Sequence, residues 1–119
     1  MATAEEICEA LADYRERCNA NAKLTKMLRT WSRRIHFCAV DTADNFTVVI
    51  ESGRIVLHSQ GAAGEPDLVI AGTSEDLCDM LWGDLNPVQK YLTGEITVQG
   101  SADDVMRVDA MVSLIWTDA

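Results

Sequence analysis

The chain is poor in the residues that usually carry catalysis. Its 119 residues include two histidines, and its four cysteines are scattered without a Cys-x-x-Cys pair. There is no Gly-x-Ser-x-Gly elbow, phosphate-binding glycine loop, dinucleotide fingerprint or His-Glu-x-x-His helix, and so none of the local frameworks that hydrolases, nucleotide enzymes and zinc proteases need. No uninterrupted apolar run approaches the ~20 residues that span a bilayer. The start, Met1 to Glu6, is acidic and lacks the basic-then-apolar order of an export signal. The last residues, Trp116 to Ala119, carry no lipidation or address motif. The expectation is a cytoplasmic protein. Cys8, Cys18, Cys38 and Cys78 are then read as free thiols acting as small apolar residues, since their spacing matches no zinc-ligand pattern.

Hydrophobic residues make up 48% of the chain and charged residues 24%, an ordinary globular balance. The length predicts one domain over 1–119, able to bury roughly two thirds of its unfolded surface without staples. Net charge is −9, which argues against whole-surface nucleic-acid binding. The charge is uneven. Arg15, Arg17, Lys23, Lys26, Arg29, Arg33 and Arg34 face only Glu16 in their stretch, a net +6 that leaves −15 on the rest. Such a stripe fits either a solvated helix face or a contact with an anionic head group.

Periodicity orders the elements. Thr3 and Glu6 have the form of a capping box, and Ile7, Ala10, Leu11, Tyr14 and Cys18 recur at helical spacing. The period resumes at Leu24, Met27, Leu28 and Trp31, so 4–31 reads as one interrupted helix or two, broken near Asn19 to Asn21. Two-residue alternation then marks strands at 35–40, 46–51 and 55–57, an antiparallel meander with Phe46, Val48, Ile50, Ile55 and Leu57 inward. A fourth strand is expected over 67–72. Helices are expected from Ser74 as cap to Trp82, and from the Asn86-Pro87 start to Gly94. A fifth strand at Ile96 and Val98 and a last helix capped by Ser101 complete the chain. The pattern predicts α+β: a five-stranded sheet with helices packed mainly on one face.

Few chemical constellations remain. His36 and His58 could pair on the outer sheet face if their strands lie close, and a metal site would need a third ligand, with Cys38 the nearest; ordinary surface or half-buried sheet residues are the favoured reading. Asp103 and Asp104 read as partners of a helix dipole. The last two-fifths of the chain is rich in large apolar residues, among them Leu81, Trp82, Tyr91, Leu92, Met106, Met111, Ile115 and Trp116. Methionine and tryptophan fit irregular apolar shapes and line permissive binding sites; an ordinary core is the competing explanation.

The stretch from Leu81-Trp82-Gly83 through Pro87, Tyr91, Gly94 and Ile96-Thr97-Val98-Gln99-Gly100-Ser101 resembles the C-terminal half of the sterol carrier protein type-2 family. Phe46 to Gly53 and Asp67 to Gly72 also fit that family's strand signatures, so the likeness covers roughly 33–118. Lys90, Glu95 and Ser101 depart from its usual alanine, lysine and aspartate. The resemblance implies a five-stranded mixed sheet covered by helices, with the helical segment 4–31 preceding it. It implies non-catalytic binding or transfer of a fatty acid, acyl-coenzyme A or sterol-like lipid in an apolar tunnel, with no cofactor and no metal. The tunnel is expected between Phe46, Val48, Ile50 and Val98 on the sheet and Leu81, Trp82, Tyr91, Leu92, Met106, Met111, Ile115 and Trp116 on the helices. The last helix serves as lid, and Lys90 or the basic stripe holds an anionic head. Partners are expected to be a small hydrophobic ligand and at most a transient membrane contact. The alternative is a dimerisation module whose slot is filled, using Val40, Val49, Val56 and Val69 on the outer sheet face for a homodimer. An enzyme using Cys38 or the histidines is the third reading.

Overall fold

A computed structural model describes residues 1–85 and 87–117, without the side chains of Leu114, Trp116 and Thr117. Helix α1 (Ala4–Ala20) opens on a complete capping box: the Glu6 amide donates to Thr3 Oγ1 and the Thr3 amide to Glu6 Oε1, both at 3.1 Å. Asn21 ends α1 and begins α2 (Ala22–Met27), where its side chain accepts the Leu24 amide at 2.9 Å. One residue therefore makes the break that the asparagine cluster predicts. The helical segment is two helices, and it stops at Met27 rather than Trp31.

Strands β1 (Arg33–Ala39), β2 (Asp44–Glu51) and β3 (Arg54–Gln60) form the antiparallel meander. Strand β4 (Leu68–Gly72) runs parallel to β1, and β5 (Thr97–Gln99) closes the far edge antiparallel to β4. The sheet is mixed, in the order β3-β2-β1-β4-β5. Helix α3 (Ser74–Trp82), short α4 (Pro87–Thr93) and α5 (Ala102–Thr117) complete the fold. Thr73, not Ser74, caps α3: its hydroxyl accepts the Asp76 amide at 3.1 Å. Ser74 is instead buried, donating to Asp41 Oδ2 and accepting the Ala2 amide. Asn86 lies outside the described residues. Gly83 ends α3 in the left-handed conformation, as its position predicts.

Alternation buries Ile35, Phe37 and Ala39 of β1, Phe46, Val48 and Ile50 of β2, and Leu68 and Ile70 of β4 in one core with Ile7, Leu11, Leu24, Leu28 and Leu77 from the helices. Leu57 departs from expectation and is 43% exposed. The reason is a bulge. Ile50 pairs with Ile55 but Val49 with Leu57, so Val56 is an extra residue and flips the parity beyond it. Helix α1 supplies the hydrogen bonds that the bulge removes from the ladder. Arg15 Nε and Asn19 Nδ2 donate to the Ile55 carbonyl, Arg15 Nη2 to the Val56 carbonyl, and the Ile55 amide to Asn19 Oδ1.

The parallel β1–β4 pairing forces the chain to cross the outer sheet face after β3. On the way the Ala63 carbonyl lies 3.1 Å from His36 Nε2, and Thr47 Oγ1 donates to the Gly61 carbonyl while accepting the Ala63 amide. His36 and Thr47 are buried by this crossing. His58 sits on the opposite face, where Arg15 Nη1 is 3.1 Å from its Nδ1. The two histidines are therefore not a pair. Burial, followed by the Arg15 charge, lowers the His58 pKa.

Where β2 turns into β3, Gly53 (φ 80°) lies against the end of α2: a Cβ there would fall 2.7 Å from the Leu28 carbonyl carbon and oxygen. Left-handed strain and backbone collision add, so Gly53→Ala is expected to cost about 2–3 kcal/mol, measured as a shift in the urea midpoint at constant slope.

Candidate ligand-binding groove

Helices α4 and α5 stand off the β4–β5 edge instead of closing on it. The reason begins with α5. Ser101 caps it through the Asp104 amide at 3.1 Å. Asp104 is 6% exposed and accepts Trp31 Nε1 at 2.8 Å and Arg33 Nε at 3.1 Å on each oxygen. The Arg33 guanidinium also lies 5.8 Å from the Trp31 ring centroid. Burial works to raise the Asp104 pKa, but the bonds from Trp31 and Arg33 and the Arg33 charge outweigh it, and the net shift is downward. The start of α5 is thus fixed to Trp31, just before β1, and to Arg33, the first residue of β1, and Met111, about two turns further along the same face of α5, is buried.

Helix α4 has no buried residue. It is held by Lys90, whose ammonium meets Asp76 at 3.5 Å and donates to Glu95. That pairing, Glu95 first, raises the Lys90 pKa. Glycines with positive φ bracket α4, Gly83 before it and Gly94 after it.

Between α4, α5 and the sheet edge lies an open groove of about 360 Å³. Its floor is Ile70, Ile96 and Val98; its walls are Met80, Pro87, Val88, Tyr91 and Leu92 on one side and Val105, Met106, Val108 and Val112 on the other, with Asp109 the single charged lining residue. A small void of about 20 Å³ shares Ile70, Met80, Val108 and Val112 with the groove and reaches inward to Tyr14, Ile35 and Phe37. The rim is apolar and exposed: Leu92 at 77% and Met106 at 70%.

Of the residues expected to line a tunnel, the structure brings Tyr91, Leu92, Val98 and Met106 into the groove. Met111 borders the inner void. Phe46, Val48 and Ile50 lie elsewhere, packed in the core on β2, between β3 and the central strand β1. Leu81 is core, Ile115 packs against the core half-buried, and Trp82 ends α3 without lining the groove. The Trp116 side chain lies outside the described residues. Lys90 is paired twice and does not line the groove. The expected tunnel left out Ile70, Met80, Val105, Val108 and Val112, although Met80, Val108 and Val112 belong to the apolar-rich last two-fifths of the chain. The spacing of Val105, Val108 and Val112 marks one helical face, but only the strand order shows that β4 and β5 lie below it.

The basic stripe also divides. Arg15 serves the β3 bulge, Arg17 pairs with Asp13, Arg33 with Asp104, and Arg34 donates to the Ala63 carbonyl. Lys23, Lys26 and Arg29 remain exposed around α2.

The cysteines carry no paired chemistry. All four are free; Cys18 and Cys78 are buried, whereas Cys8 and Cys38 are half-buried. Burial pushes the Cys18 thiol up to about 12. Among the described residues, no three His, Cys, Asp or Glu side chains come together as a metal site.

An α+β domain of this topology has the fold of sterol-carrier-type domains. The model of the SCP-2 sterol transfer family matches residues 11–113, and the chain belongs to that family, one of lipid binding or transfer. Solved structures share the fold at low identity. A crystal structure of sterol carrier protein 2 is 13% identical with a TM-score of 0.67, over 92% of this chain and 95% of that one. The ubiquinone synthesis protein UbiJ-SCP2 is 13% identical with a TM-score of 0.71, over 92% and 94%. Palmitated SCP2L2 from Aedes aegypti is 16% identical with a TM-score of 0.66, over 93% and 95%. No curated protein matches the sequence. No helix among the described residues is long and apolar enough to cross a membrane.

Two outcomes are expected. Asp104→Asn keeps the shape but removes the charge that meets Arg33, and should cost about 2 kcal/mol near neutrality. Because the folded pKa is lowered, this contribution is complete above the ordinary carboxylate range and is lost as pH falls through the folded value. The stability gap between the two proteins should therefore close as urea melts are moved from neutral pH into acid. Alkylation near pH 8 should label Cys8 and Cys38 well before Cys18, whose thiolate fraction is roughly one in ten thousand.

Proposed function

We propose that the groove binds the hydrocarbon part of a lipid and that the protein is a non-catalytic carrier. The observation that carries this reading is the open apolar slot of about 360 Å³ between α4, α5 and the β4–β5 edge. A monomer gains nothing from leaving such a surface wet. A slot of this size has room for roughly a dozen water-sized groups. Each methylene transferred from water contributes about 0.8 kcal/mol, a gross gain of about 10 kcal/mol, against at least about 4 kcal/mol for association. The balance favours binding, and each further methylene covered along the apolar rim adds to it.

The proposed contact residues are Tyr91, Leu92, Val98 and Met106, joined by Ile70, Met80, Val108 and Val112 at the depth of the slot. Met80 lines both the groove and the inner void, and its flexible side chain lets a longer tail reach towards Phe37 and Tyr14. Helix α4, without a buried residue and bracketed by two left-handed glycines, is the wall that moves on entry. This replaces α5 as lid, because Asp104 and Met111 fix α5. The palmitated state of the mosquito relative supports the same use of the fold. The open slot speaks against a filled, non-binding core.

The test is organic extraction of the purified full chain followed by mass spectrometry. Co-purified lipid is expected at a sizeable fraction of one per chain. In Val98→Phe a ring fills the slot, and lipid content is expected to fall at least about fivefold while the melting temperature changes by no more than about 5 °C. Equal lipid on both proteins would reject the groove as the site; failure of any long-chain amphiphile to saturate the native chain would reject the carrier function.

A further inference from the structure

We propose that the groove selects an amphiphile whose headgroup is uncharged and hydrogen-bonding, such as a long-chain alcohol or a monoacylglycerol, over a long-chain carboxylate or an acyl thioester of a phosphorylated carrier. The inference rests on the carrier reading and narrows its ligand class.

The argument is one of charge supply. From β4 to the C-terminus the sequence has two cations, Lys90 and Arg107. Both are engaged: Lys90 by Asp76 and Glu95, and Arg107 by Asp103 at 2.9 Å. The same elements carry Glu75, Asp79, Asp84 and Asp109 in addition. Burial first, and then the neighbouring charges of Glu75, Asp84 and Asp76, raise the Asp79 pKa. The lone charged lining residue is itself a carboxylate, Asp109, exposed on α5. An ionised head at the mouth therefore meets net negative charge and no unengaged cation among the described residues. A hydroxyl or amide there has Asp109 as an acceptor. The excess of basic residues in the chain lies before β2, in the stretch ending at Arg34.

The experiment compares two probes with one tail, palmitate and 1-monopalmitoylglycerol, presented to the full chain from cyclodextrin near pH 8 at low ionic strength. Protein-bound lipid is separated by gel filtration and quantified by mass spectrometry. Monopalmitoylglycerol is expected to be retained about tenfold more strongly, and the gap to shrink several-fold in about 0.5 M salt, where charges at the mouth are screened. In Asp76→Asn/Glu95→Gln, Lys90 loses both partners. The ratio of palmitate to monopalmitoylglycerol retained is expected to rise several-fold, and an unchanged ratio overturns the selectivity. Should the double variant not fold by circular dichroism, Glu95→Gln alone carries the test with a smaller rise. Equal or stronger retention of palmitate by the native chain overturns the selectivity and leaves the carrier reading standing. Retention of neither probe overturns the carrier reading itself.

Discussion

A single buried carboxylate anchors the helix that forms one wall of the groove. Asp104 collects the Trp31 indole and the Arg33 guanidinium, two groups more than seventy residues away in the chain. A charge in that position would be costly if unpaired. Paired as it is, it sets where α5 starts and at what height over the sheet. Apolar contact alone would favour the lowest approach, with Val105, Val108 and Val112 pressed onto Ile70 and Val98. The polar anchor at one end, and Met111 buried further along, hold the helix in a position where those valines face the slot.

The opposite wall is built on the contrary principle. Helix α4 buries nothing and is tied down by Lys90, an exposed ion pair of the kind that contributes little to stability. Local openings are drawn from the parts of a structure with few buried contacts. The groove thus has one fixed wall and one weakly held wall, and the second can move without disturbing the core under α1 and α3.

Much of this was legible in the residues. Capping at Thr3, the break at Asn21, the meander, the C-cap at Gly83 and the cap at Ser101 all follow from local chemistry that acts within a few residues. The misses share a different cause. The bulge at Val56 has no local sign, because it exists to meet Arg15 and Asn19 on another element. His36 and His58 alternate like other strand residues, and the parity change between them separates their faces. The placement of Phe46, Val48 and Ile50 turns on strand order: β2 lies two strands from β4 and three from β5, so its inward residues join the main core and not the slot. Alternation tells which side of a sheet a residue faces. It does not tell which helix lies above it.

Charge shows the same division between what is local and what is assembled. The basic excess of residues 15–34 looks like a binding stripe when read linearly. Folding spends Arg15, Arg33 and Arg34 as structural donors, two of them to carbonyls that the sheet cannot satisfy and one to Asp104. Arginine suits this work because its planar fork serves several acceptors at once, as Arg15 does for Ile55 and Val56. Lys90 looked like a head-group anchor for the converse reason: in sequence it is a lone cation beside an apolar run. In space Asp76 and Glu95 reach it first. A cation already held by two carboxylates offers an incoming carboxylate only an exchange of partners, with the displaced acids left to repel the newcomer. On the proposed carrier reading, electrostatics at the mouth selects the head of the ligand by exclusion, while the valines and methionines below ask only that it have a tail.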